Sequence, residues 1–258
     1  MLYVYLEAPF AACRTFTAGW YRPSATFLTP SAAYGLLLNV AGIESRLREE
    51  DESHDGRTPA SLMRHGLPAI RIAVGVPWRD GDSEEVFPQV QTIYQQLHNY
   101  PVGKDAGTPA KLTKGNKNNI TPVRRELLSG LRALVCLNGN ADLEDRVRAG
   151  LRGEYNQGRY GLPFLGDNQF LLDRLEEPPA VPTARWYERV EQTAGTGPRP
   201  RTTRLTIWID RADMSRTRSA LYAPSDEASA EPPPGAWTEI VPPTPVAAAK
   251  PKRGTGKK

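Results

Sequence analysis

Residues 19–43 read GWYRPSATFLTPSAAYGLLLNVAGI, and the second half of that stretch marks both ends of a helix. Thr29 is placed to cap it, Pro30 suits the first helical position, where its missing N–H costs nothing, and Gly42 offers a left-handed stop. Between them Ala33, Leu36, Leu37, Val40 and Ala41 leave almost no polar face, so the spacing predicts a short helix buried on several sides. Gly35 removes a side chain where another backbone can approach. The first half carries aromatic, hydroxylated and basic residues straight into the helix N-terminus. Free N–H groups and the positive dipole end there favour a phosphate. The same residues also suit a plain core helix behind a polar loop.

The order of these residues resembles that of a known family. A first strand, an Arg-containing loop and then TPSAAYGLLLNVAGI (29–43) are similar to the family-five CRISPR-associated subunit of type I Cascade, a member of the repeat-associated RNA-recognition superfamily. YGLPFLGDNQFLL at 160–172 resembles that family's Tyr-x-x-(Phe/Tyr)-Leu-Gly element, and the likeness spans roughly residues 1–220. The resemblance implies an α+β fold, a modified ferredoxin-like (RNA-recognition-type) antiparallel sheet with a long inserted thumb hairpin. It further implies a non-catalytic RNA-binding subunit of a type I CRISPR effector complex. Its partners are then the crRNA 5′ handle, the CRISPR backbone subunit, the CRISPR large subunit and, through the complex, target DNA. One branch of the family cleaves precursor crRNA with a Tyr, Lys and His set, so a metal-independent endoribonuclease is the alternative. Tyr21 or Tyr34, Lys104 or Lys111, and His98 are the residues available for it, without that branch's tight Lys–His adjacency. An unrelated basic RNA-binding domain is what the residues suggest without the resemblance.

The chain has 258 residues, enough for one large domain or two small ones, with 33 basic and 29 acidic side chains. Its net charge of +4 is mild, so local clustering matters more than the total. Cys13 and Cys136 stand far apart, with no CxxC, so neither a disulfide framework nor a zinc site is expected. The N-terminus lacks a signal-peptide pattern, and no apolar run approaches the ~20 residues of a membrane span. These features point to a cytoplasmic protein with no membrane partner. No P-loop, GxGxxG, HExxH or nucleophile elbow occurs, so neither a cofactor nor catalysis is expected. His54, His65 and His98 have no partner set around them.

Outward from the helix, Leu2, Val4 and Leu6 alternate with Tyr3, Tyr5 and Glu7 as a first strand. Residues 44–57 turn strongly charged and read as a solvated loop or a frayed helix. Ile70, Ile72, Val74 and Val76 form another alternating run, with residues 86–97 as its expected hairpin partner. Residues 99–125 follow, with Lys104, Lys111, Lys114, Lys117, Arg124 and Arg125 against Asp105 alone. Gly, Pro and Asn make this a poor helix and a poor core. It reads either as a surface loop or as a phosphate-binding arm, and the resembled family's thumb favours the arm. Residues 126–137 return to the sheet and 142–151 form a second helix. Residues 155–166 are a glycine-rich turn carrying Arg159 and Tyr160. Leu205, Ile207 and Ile209 mark a further strand.

The domain expectation is therefore residues 1–222 as the RNA-binding domain, with the basic arm at 99–125, and residues 223–258 as a disordered Pro-rich basic tail. Eight prolines occur from Pro224 onward. RNA contacts are expected from Arg14, Tyr21, Arg22, Ser24, Thr26, Thr29 and Ser31 around the helix N-terminus. Lys104, Lys111, Lys114, Lys117, Arg124 and Arg125 are expected to contribute from the arm, and Arg159 and Tyr160 from the glycine-rich turn.

Overall fold

Strand β1 (Leu2–Ala11) realises the N-terminal alternation: Leu2, Val4, Leu6 and Ala8 are buried, while Tyr3, Tyr5 and Glu7 are half-buried on the opposite face. The computed structural model describes residues 1–15, 20–47, 62–101, 118–154, 161–191, 199–211 and 213–242. After β1 come β2 (Tyr21–Arg22), α1 (Pro30–Val40), β3 (Ile70–Pro77), β4 (Gln89–Pro101) and β5 (Asn118–Asn138). Then follow α2 (Ala141–Leu151), β6 (Arg174–Glu176), β7 (Ala184–Arg189), β8 (Thr203–Trp208), β9 (Arg218–Pro224) and β10 (Thr238–Ile240). The fold is α+β, with a mostly antiparallel sheet in the order β6-β1-β5-β3-β7-β9-β8. Two strand-helix-strand units interleave within it: β5 lies between β1 and β3, and β1 lies between β5 and β6.

Helix α1 has the ends that its sequence specifies. The Thr29 hydroxyl accepts the Ala32 N–H at 3.2 Å, and Pro30 opens the first turn. At the other end Gly42 (φ 67°) donates to the Asn39 carbonyl at 3.0 Å, and Ile43 donates to the Leu38 carbonyl at 2.8 Å. Those two bonds are the paired reversal that satisfies a helix's last carbonyls. Ala33, Tyr34, Leu36, Leu37, Leu38 and Val40 are all buried, and the helix packs against α2, β3, β8 and β10. Gly35 does not mark the close approach expected of it, since a Cβ there meets nothing within 4 Å. That role falls to Gly150 on α2, where a Cβ would sit 2.0 Å from the Val40 carbonyl oxygen.

The expected hairpin between β3 and residues 86–97 does not form. β3 pairs instead with β5 on one edge, and with β7 and β10 on the other. β4 pairs with β5 from Gln89 opposite Ser129 to Pro101 opposite Asn118. The reason lies in composition: Gln89, Gln91, Thr92, Gln95 and Gln96 leave β4 no apolar face to lay on the core, so it can pair only as one leg of a ribbon. The arm at 99–125 is thus not structureless at its ends, which belong to β4 and β5. Its middle, residues 102–117, lies outside the described residues.

The expected disordered tail is corrected as far as Pro242. Residues 225–237 cross the face of the sheet opposite the helices, where Trp186 is fully buried. Ser225 Oγ accepts the Trp186 N–H at 3.0 Å, and the Ser229 carbonyl accepts its indole N–H at 2.9 Å. β10 then adds to β3, with Ile240 opposite Ile70 and wholly buried. Prolines forbid a long helix or strand but not a short pairing anchored by one isoleucine. Residues 243–258 lie outside the described residues.

Candidate nucleic-acid interface

Backbone pairing draws the loop before α1 onto the root of the β4–β5 ribbon. The Cys13 N–H donates to Ser24 Oγ at 3.0 Å and the Ala25 N–H to the Cys13 carbonyl at 2.7 Å, so Arg14 runs beside Ser24. β2 then lies parallel to β5, with Tyr21 opposite Arg124 and Arg22 opposite Arg125. The Arg124 N–H donates to the Trp20 carbonyl at 2.8 Å. Glu126 pins this arrangement: its carboxylate accepts the Ser24 N–H at 3.1 Å and the Tyr21 hydroxyl.

Arg14, Arg22, Arg125 and Arg211 gather here around Asp167, while Arg124 alternates to the other face of β5. The Arg124 guanidinium lies 4.3 Å over the Tyr21 ring. Arg125 is buried, with Nη1 2.6 Å from Asp167 Oδ2 and its guanidinium 5.1 Å from the Phe170 ring centre. Its Nε and Nη2 have no hydrogen-bond partner among the described residues. Loss of hydration, then the nearby charges of Arg125, Arg22 and Arg211, lower the Arg14 pKa, with Asp167 opposing. Arg14 nonetheless stays a cation at neutral pH. Burial pushes the Asp167 pKa up, but the Arg125 hydrogen bond, the Gln169 N–H and the charges of Arg125 and Arg14 outweigh it, so the carboxyl titrates below its usual range. Gly166 makes this contact possible. Its φ is 81°, and a Cβ there would stand 1.8 Å from the Ala12 carbonyl oxygen. Clustered guanidinium groups are suited to holding phosphate. Among the described residues no group of three or more His, Cys, Asp or Glu is placed to hold a metal ion.

The predicted residues separate into three sets. Arg14, Arg22 and Arg125 converge as described, Tyr21 and Arg124 lie on the other face of the same strands, and Thr26 is exposed nearby. Ser24 and Thr29 are buried, and their hydroxyls already serve the Cys13 N–H and the first turn of α1. Ser31 faces a cleft of about 510 Å³, whose lining includes Tyr34, Trp208 and Arg211, and through Arg211 the cleft borders the arginine cluster. Lys104, Lys111, Lys114, Lys117, Arg159 and Tyr160 lie outside the described residues. The two tyrosines considered for cleavage have structural partners: Tyr21 donates to Glu126, and Tyr34 donates to the Pro68 carbonyl at 2.8 Å.

Comparison with known proteins adds a family. A family model described as CRISPR-associated protein (Cas_Cas5) matches residues 1–205. The chain belongs to this CRISPR-associated protein family. Two solved structures are similar. One, described as a CRISPR RNA-guided surveillance complex, has a TM-score of 0.47 and 12% identity over 91% of this chain and 95% of that one. The other, described as the crystal structure of a Cas protein, has a TM-score of 0.41 and 16% identity over 88% and 93%. Comparison with curated proteins gives no match.

In this CRISPR-associated family member, Arg14, Arg22, Arg124, Arg125 and Asp167 all lie inside the matched region, whereas Arg211, β9 and β10 lie beyond it. Sequence reading missed Glu126, Asp167, Phe170 and Arg211 as parts of the site. Asp167 and Phe170 sit in the GDNQF half of the motif noted at 160–172, so a signal was present there. Nothing in the spacing, however, joins Asp167 to an arginine 42 residues earlier.

Proposed function

We propose that this protein is the non-catalytic RNA-binding subunit of a type I CRISPR effector complex. It holds the 5′ handle of the crRNA, links the backbone filament to the large subunit, and serves RNA-guided DNA targeting. Family membership supports the CRISPR setting. The observation that carries the RNA role is the convergence of Arg14, Arg22, Arg125 and Arg211 at the root of the β4–β5 ribbon, with Arg124 on the other face of the same strand. Single-stranded RNA is held through such phosphate contacts and through splayed bases. The interleaving of β1-α1-β3 with β5-α2-β6 supports the ferredoxin-like reading, and the ribbon supports a thumb.

The test is a binding gel of the purified protein with labelled repeat RNA, with and without a chelator. Expected is binding without cleavage in both lanes. Replacing Arg14 and Arg22 by Ala should weaken binding across sequences and reduce the slope of log affinity against log salt by about 1.4, at ~0.7 per lost single-strand phosphate contact. Cleavage in chelator overturns the proposal in favour of a metal-independent endoribonuclease. An unchanged affinity and slope remove the arginine cluster from the interface.

A further inference from the structure

We infer that the cleft beside α1 receives one unpaired nucleotide of the RNA strand, seated against the helix backbone at Gly35. The inference rests on the RNA-binding reading above and adds a base pocket to its phosphate contacts. Gly35 stands in the middle of α1, where glycine is the poorest helix former after proline. Packing does not call for it: a Cβ there meets nothing within 4 Å, unlike Gly150, whose place is set by Val40. Gly35 does line the cleft of about 510 Å³, so a side chain at this position would take up that space. A helix that gives up stability where no neighbour needs the room keeps that room for something outside the fold.

The lining indicates the chemistry of the occupant. Tyr34 and Trp208 lie with ring centres 6.0 Å apart, and with Met63 they give the cleft an apolar, largely aromatic wall. Arg46 and Arg211 add positive charge to the same cleft. A nucleotide matches this combination, with a flat ring for the wall and an anion for the arginines. The volume also falls within the ~300–1,000 Å³ of small-ligand sites. Arg211 ties the cleft to the phosphate-binding cluster, because its charge reaches Arg14. A strand held by Arg14, Arg22 and Arg125 is thereby brought to the cleft. A base enters such a pocket only when unstacked and unpaired, the state in which single-stranded RNA offers it.

The experiment is an abasic scan. Labelled repeat RNA, with the base removed at one position at a time, is titrated against the full chain and against Gly35→Leu and Gly35→Ala. Wild type should lose about tenfold in affinity at one position. Gly35→Leu fills the cleft, so it should bind intact RNA about tenfold more weakly, and removing that same base should then cost nothing further. Gly35→Ala should raise the melting temperature by about 2–4 °C, and Gly35→Leu should not lower it, since the added atoms enter open space. The wild-type scan decides the matter even where Gly35→Leu folds poorly. A flat scan in wild type, or a Gly35→Leu variant that binds and scans as wild type does, overturns the pocket. If Arg14→Ala with Arg22→Ala still weakens intact RNA in that case, the RNA reading stands. Nucleoside monophosphates that bind wild type but not Gly35→Leu, alongside a flat scan, assign the cleft to a free small ligand and likewise overturn the proposal. Wild-type protein that binds no repeat RNA overturns both.

Discussion

Replacing Asp167 by Ala tests whether the buried Arg125 depends on this one carboxylate. Removing one member of a fully buried ion pair costs about 3–5 kcal/mol, because the remaining charge stays desolvated. Here the Arg125 side chain is 6% exposed and that of Asp167 19%, so water can replace the carboxylate in part. A loss of about 2–3 kcal/mol is therefore expected, near the value of a charged hydrogen bond. At ~2–4 °C per kcal/mol for a chain of this size, the melting temperature should fall by about 5–10 °C. Asp167→Asn keeps an acceptor and should lose less. The pH dependence supplies a second readout. The Asp167 pKa is lowered in the folded state, so its contribution is present above the unfolded value of about 4 and is lost as pH falls through the folded pKa. The gap between wild type and Asp167→Ala, followed by thermal melts from pH 7 downward, should therefore narrow below about pH 4. A melting temperature within 1 °C of wild type at pH 7, or a gap that stays constant into acid, refutes the reasoning.

Two further outcomes follow from the buried groups. Ile240→Ala empties a fully buried position on β10 and should cost about 2–5 kcal/mol in a denaturant melt; a loss under about 0.5 kcal/mol would mean that β10 does not hold the tail to β3. Burial pushes the Cys13 thiol up to about 11 and the Cys136 thiol up to about 12, so neither should react with a thiol reagent at pH 8 until the chain is unfolded. Because both folded values are raised above 9.0, the stability they carry is present below about pH 9 and lost as pH rises through 11 and 12. Rapid labelling of either thiol in the native protein would contradict that burial.

What could be read from the sequence was local. The cap at Thr29, Pro30 at the first position and the reversal at Gly42 each act within one helical turn, so their residue types announce them. The alternation of β1 is equally self-contained. β4 is legible as a strand over 86–97, but with the wrong partner: its glutamines give no apolar face that would choose a neighbour, and only its ladder to β5 decides the pairing. β10 escaped recognition because three residues make no pattern, and its anchor Ile240 is buried only by the distant β3. The same distinction governs the site. Ser24 and Thr29 belonged to the expected apron because hydroxyls before a helix suit a phosphate, yet a hydroxyl that caps a helix or binds a neighbouring N–H has already used its nearest donor. Local capping rules thus argue against Thr29 as a ligand contact even before a structure is at hand. The arginines differ, since no backbone group nearby can neutralise a guanidinium. Arg125 found its acid in Asp167 across the fold, and even so two of its nitrogens lack a hydrogen-bond partner among the described residues. Within such an apron, unspent charge therefore marks an interface better than hydroxyl content, and by that measure Arg14, Arg22 and Arg124 are the residues whose removal RNA binding should feel most.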